Sequence, residues 1–166
     1  MLFNIKRLQK LSGILSETEQ ENEKKLSNIS YTGIVLTEAS HNELIEKIRN
    51  KIPKNWKIVA HHVTVNLGPY KGDINLLNSV QKLNVNSFAI NNRICAVGVI
   101  MPLGIPSKNI NPHITIALNL NPESEVEVTA KESNNLQWET AEALEPFPIS
   151  GKLIEVVKDD NSFASA

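Results

Sequence analysis

Ala60-His61-His62-Val63-Thr64-Val65-Asn66-Leu67 has a counterpart downstream in Pro112-His113-Ile114-Thr115-Ile116-Ala117-Leu118-Asn119. In each stretch a histidine and a threonine stand two residues apart among β-branched apolar residues, the composition of a strand. Side chains alternate between the faces of a strand, so His62, Thr64 and Asn66 share one face while Val63, Val65 and Leu67 share the other. The second copy divides in the same way, with His113, Thr115, Ala117 and Asn119 opposite Ile114, Ile116, Leu118 and Leu120. Two such strands brought together line one cleft with two imidazoles and two hydroxyls, the pattern of an active site. His61 falls on the face opposite His62, where it packs against a helix or orients a neighbour.

Working outward, residues 31–37 read as a strand. Ser40-His41-Asn42-Glu43 has the form of a capping box, opening a helix that buries Leu44, Ile45, Ile48 and Ile52 and stops at Pro53, with His41 exposed in its first turn. Residues 56–67 form the strand that bears His62 and Thr64. The turn-rich loop 68–73 follows at the cleft edge and offers Tyr70 and Lys71 as phosphate or base contacts. Residues 74–80 are a short helix or loop, 83–90 a strand, Asn91-Asn92 a hairpin turn, and 93–101 an almost continuously apolar, central strand. Arg93, at its start, is a further candidate phosphate contact. The loop 102–112, with Gly104 and Pro106, delivers Ser107, Lys108 and Asn109 ahead of the second His/Thr strand, and such loops often carry binding groups. After a polar segment, residues 149–157 supply the last strand. Strand, helix and His/Thr strand are thus followed by hairpin, His/Thr strand and strand, a weak internal repeat. It predicts an α+β domain of two antiparallel-sheet lobes related by a rough two-fold axis, with flanking helices.

The 166 residues, 41% apolar and 21% charged, are those of an ordinary globular domain. A formal charge of −1 argues against a broad basic surface for long nucleic acid and leaves room for a local site. The single cysteine, Cys95, lies in an apolar strand and reads as a buried hydrophobe. Residues 2–25 read as an appended helix. Leu2, Ile5, Leu8, Leu11 and Leu15 form its stripe, Lys6, Arg7 and Lys10 its basic half, and glutamates its acidic half. It packs on the domain or on a second copy. The expected division is an N-terminal helical extension at 1–29, the domain at 30–158 and a tail at 159–166. No apolar run is long enough for a membrane span and no secretory segment is recognisable, so the expected location is the cytoplasm.

The paired His-x-Thr strands resemble those of the two-histidine (2H) phosphoesterase superfamily, which includes LigT-type cyclic phosphodiesterases. Residues 31–37, 60–69, Ser107-Lys108-Asn109 leading into Pro112-His113-Ile114-Thr115, and Ser133-Asn134-Asn135 with Trp138 look closest to its compact, Swiss-army-knife RNA-repair-like branch. The resemblance spans residues 31–157. It implies a bilobal fold and metal-independent hydrolysis of a 2′,3′-cyclic phosphate, with no cofactor, and it adds Ser107 and Asn134 as substrate contacts. The 51-residue step from His62 to His113 is shorter than in the larger LigT-type enzymes, so substrate-binding elements found there are not expected here.

The residue types suit that chemistry. One imidazole takes a proton from the attacking water and the other gives one to the departing ribose oxygen, which a pKa near 6.5 permits at neutral pH. Thr64 and Thr115 clamp the non-bridging phosphate oxygens. The expected partners are RNA 2′,3′-cyclic phosphate ends or cyclic nucleotides. Alternatives are a phage-type enzyme that destroys cyclic di- or oligonucleotide signals by the same mechanism, and a module that binds RNA ends without turnover. A zinc site made of His61, His62 and His113 is the chemical rival, but it lacks an acidic or cysteine ligand at useful spacing.

Overall fold

A computed structural model describes residues 17–121, 123 and 126–158. Most of the expected N-terminal helix and the expected tail lie outside the described residues. The described part of that helix is α1 (Glu17–Ser27), and α2 spans Glu38–Ile48. The strands are β1 (Ile29–Leu36), β2 (Lys57–Ile58), β3 (His62–Leu67), β4 (Val80–Ile90), β5 (Ile94–Ile100), β6 (His113–Leu118) and β7 (Glu142–Val157). Every pairing is antiparallel. The order β6-β3-β1-β7-β4-β5 closes on itself through β5 and β6, giving one continuous six-stranded barrel, with β2 extending the β3 side of β6. The domain is therefore α+β and mostly antiparallel, and closure leaves no long free edge.

The interior is filled by one face of each strand, including Ile34, Val63, Val85, Val97, Ile114, Ile149 and Leu153, together with Leu44, Ile45 and Ile48 of α2. A second cluster of Ala89, Ile94, Ala96, Leu118, Val128 and Leu136 packs the segment after β6 against β4, β5 and β6. Cys95 is fully buried, and burial pushes its thiol pKa up to about 12, as expected of an inert packing residue. No described helix is long and apolar enough to cross a membrane.

Four local readings are corrected. The α2 cap is Thr37, whose hydroxyl accepts from the Ser40 amide at 3.2 Å; Ser40 is buried and accepts from the Ser150 amide at 2.7 Å, so the box starting at Ser40 does not form. The single strand expected over 56–67 is broken between β2 and β3 at Ala60, which has φ +20°. The amides of Val59 and Ala60 both reach the Ile116 carbonyl, at 2.8 and 3.3 Å. β7 begins well before residue 149 because it serves two neighbours, pairing with β4 over Glu142–Lys152 and with β1 over Gly151–Val157. Pro146 sits in its bulge opposite Asn86, where no ladder donor is required. His41 is half-buried and not fully exposed.

Gly151 is the residue at which β7 changes partner, paired with both Gln81 and Leu36. A Cβ there would stand 2.6 Å from Ile34 Cγ2 and 2.8 Å from the Val35 carbonyl oxygen. Backbone cannot yield as a side-chain tip can, so Gly151→Ala is expected to destabilise the fold by about 1–3 kcal/mol. Urea unfolding checks this, and an unchanged midpoint would show that the corner has slack.

Candidate active site

Each His/Thr strand carries a bulge at the residue after its threonine. On β3, Gly33 pairs with Thr64 and Thr32 with Asn66, which leaves Val65 unopposed. On β6, Ala96 pairs with Thr115 and Cys95 with Ala117, which leaves Ile116 unopposed. A bulge resets the alternation of faces. Histidine and threonine therefore stay together in each copy; Asn66 lines the cavity with them, whereas Ala117 departs from strict alternation. Asn66 is buried, and its amide donates to the carbonyls of Leu67 and Pro69, holding the following loop. Ala117 joins the interior and Leu118 the second cluster.

In the first copy, the positive φ of Ala60 overturns the expected placement of His61. Its ring lies edge-on to His62, with centroids 5.2 Å apart and Nδ1 to Nδ1 at 3.0 Å. Tyr31 stacks on the His62 ring at 4.6 Å, with its hydroxyl 3.5 Å from the same Nδ1. His62 Nε2 has no protein partner among the described residues. Burial first, then the neighbouring His61 and His113, push the His62 pKa down to about 4, so the ring is neutral at pH 7.

In the second copy, His113 is buried and its Nδ1–H donates to the Asn111 carbonyl at 2.7 Å. That bond fixes the tautomer and leaves Nε2 facing the Ser133 hydroxyl at 2.8 Å. Ser133 Oγ is also 2.8 Å from Thr115 Oγ1 and 2.8 Å from the Ala130 carbonyl. The hydroxyl can serve both protonation states of His113. It donates to a neutral Nε2, or accepts from a protonated one while turning its own proton to Ala130. Burial holds the His113 pKa below histidine's usual value, against the Asn111 hydrogen bond, which favours the charged form. Trp138 packs on the ring at 5.2 Å and donates through Nε1 to the Ser133 carbonyl at 3.3 Å.

Both copies open on one cavity of about 610 Å3 whose walls include Tyr31, His61, His62, Thr64, His113, Thr115, Ser133 and, at its rim, Lys108, Asn109, Lys131 and Asn134. Among the described residues, no aspartate or glutamate lines it. The arrangement suits an anion with exchangeable protons on either side. Among the described residues, no group of three or more His, Cys, Asp or Glu side chains is placed to hold a metal ion.

Of the expected substrate contacts, Lys108 and Asn134 line the cavity; Tyr70, Lys71 and Ser107 do not. Tyr70 packs against the core with its hydroxyl buried, because its amide is held by the Glu155 carboxylate at 3.0 Å. Lys71 is exposed beside it. Ser107 donates to the Thr64 carbonyl at 3.0 Å and accepts from the Asn109 amide at 3.1 Å, so it fastens the loop that presents Lys108 and Asn109. Arg93 is paired with Glu132 at 2.5 Å, and Glu132 also accepts from the Thr129 amide at 2.8 Å, which anchors the 3-10 turn Ala130–Asn135 that carries Ser133. Sequence reasoning assigned no site role to Tyr31, Lys131 or Ser133. The family resemblance took in the stretch Ser133-Asn134-Asn135 with Trp138 but gave a contact only to Asn134. The chain matches no protein-family model and no curated protein.

Proposed function

We propose that this cavity hydrolyses a 2′,3′-cyclic phosphate on an RNA end or nucleotide by metal-independent acid/base catalysis between His62 and His113, as in the two-histidine phosphoesterases the sequence resembles. The observation that carries the reading is the convergence of two His-x-Thr strands, each bulged at the same position, on one cavity lined by lysines and, among the described residues, by no carboxylate. The matched bulges also support a two-fold relation between the β1–β3 and β5–β6 pairs, the bilobal arrangement expected from the repeat. These halves meet through the single ladder pair Val63↔Ile114.

His62 acts as the base, since it is neutral and its Nε2 has no hydrogen-bond partner among the described residues. It takes a proton from water as the water oxygen bonds to phosphorus. His113, charged when the phosphate anion enters, passes its Nε2 proton to the ribose oxygen as the P–O bond breaks. Thr64 and Thr115 hold the non-bridging oxygens, with Ser133 turning away from Nε2 to join Thr115. Lys108 and Lys131 offset phosphate charge, while Asn109 and Asn134 meet sugar or base.

The two rim lysines stand on separate segments, which also favours a substrate with two phosphates, such as a cyclic dinucleotide. Wild type should therefore be assayed in EDTA against a 2′,3′-cyclic-phosphate-ended oligonucleotide, a 2′,3′-cyclic mononucleotide and a 3′,3′-cyclic dinucleotide. Cleavage of any of them is expected, and the preferred one separates RNA-end processing from signal destruction. Activity that EDTA abolishes and zinc restores would sink the two-histidine mechanism. Tight binding of the oligonucleotide without turnover would leave a binding module.

A further inference from the structure

We infer that His61 is the positioning residue that selects the tautomer of His62, and that the two rings form a proton-sharing pair whose protonation switches His62 from base to donor. The inference about turnover rests on the phosphodiesterase reading above, whereas the pairing itself rests on geometry alone. Two imidazole Nδ1 atoms 3.0 Å apart carry one proton between them. With none, two lone pairs face each other; with two, the hydrogens collide. If the proton sits on His62 Nδ1 and points at His61, Nε2 of His62 is bare and can accept a proton. If it sits on His61, His62 is the Nε2–H tautomer and cannot act as base.

The second copy supplies the comparison. There the Nδ1 anchor of His113 is a backbone carbonyl, that of Asn111, which only ever accepts. In the first copy the anchor is a side chain that can itself be protonated. An added proton on the pair goes to His61, reverses the Nδ1 hydrogen bond and leaves His62 with its proton on Nε2. The backbone is arranged for this contact, because Ala60, with its positive φ, turns two consecutive histidines to the same cavity. Among the described residues lining the cavity, the other titratable or charged groups are Tyr31 from β1, with its hydroxyl 3.5 Å from His62 Nδ1, His113 from β6, Lys108 from the loop before β6 and Lys131 from the turn after it. Like charges and burial from these elements oppose a second positive ring, so the pair gains one proton as a unit.

The test uses the full chain with 15N-labelled imidazoles, and His61→Ala and His61→Asn beside wild type. Long-range 15N–1H spectra of the ligand-free protein at pH 7.5 are expected to give His62 as the Nδ1–H tautomer. His61→Ala should lose that preference, and His61→Asn, whose amide oxygen accepts but does not titrate, should keep it. On whichever substrate the panel selects, kcat of His61→Ala is expected to fall about 10–100-fold with little change in KM. His61→Asn should recover most of that loss, with an acid limb displaced from the wild-type one. An Nε2–H tautomer in wild type, or a His62 spectrum and pH profile in His61→Ala that overlay those of wild type, would overturn the inference. If no substrate is cleaved but the tautomer responds as described, the pair stands and the phosphodiesterase reading fails.

Discussion

His62→Ala and His113→Ala are each expected to slow cleavage of the preferred substrate by about 10²–10⁴-fold, with KM changed far less than kcat. Both rings line the cavity together with Thr64 and Thr115, and the Val63↔Ile114 pair sets the two His/Thr strands side by side. Removing either takes away one proton transfer and leaves the oxygen clamp and the lysines in place. Because the two transfers belong to one displacement, the double variant should lose little beyond the worse single one. The singles are nevertheless distinguishable. A substrate with a good leaving group, such as a nitrophenyl phosphodiester, needs no acid, so it should rescue the variant of the acid, His113→Ala, and not that of the base, His62→Ala. Rescue of His62→Ala instead would exchange the two roles. Losses below about threefold in both variants would remove the histidines from the chemistry.

The expectation is as sharp as it is because period-two alternation makes a histidine and a threonine two apart face the same way whatever the fold. The pair needed only the two strands to be neighbours, and Val63 opposite Ile114 makes them so. What lay beyond that pairing was less legible. The bulges at Val65 and Ile116 are single unpaired residues, and nothing in an apolar β-branched run announces one, so Ala117 was read onto the wrong face, whereas Asn66 lines the cavity with His62 and Thr64 as alternation predicts. The turn of His61 toward its neighbour depends on one positive φ at an alanine, a residue type that carries no such signal. Ser133 reaches His113 from a turn anchored in part by Arg93, 39 residues upstream of Glu132. Long-range contacts of that kind leave no local pattern. The same holds for barrel closure through β5 and β6, and for β7, whose glutamates and prolines mask a strand that borders two others.

The stability of the protein is expected to fall as pH drops from about 6.5 toward 4, with His62 a main cause. In the unfolded chain a histidine titrates near 6.5; in the fold, burial beside His61 and His113 lowers that of His62 to about 4. Above 6.5 the ring is neutral in both states and costs nothing. Between the two values the unfolded chain binds a proton that the folded protein refuses, so the unfolded state gains, and below 4 the loss levels off. By pH 4.5 the difference amounts to about 2–3 kcal/mol at 1.36 kcal/mol per pKa unit. His113, also lowered, adds loss of the same sign. Carboxylates titrate there too, so the informative quantity is a difference. Urea unfolding of wild type and His62→Asn at pH 7.5 and 4.5 should show the variant losing less stability on acidification, by about 2–3 kcal/mol. Parallel losses in the two proteins would mean that His62 is hydrated enough to keep an ordinary pKa, and with it would go the reason for assigning it as the base. The physical link is that the burial which keeps the His62 ring uncharged at neutral pH is the same burial that weakens the fold in acid.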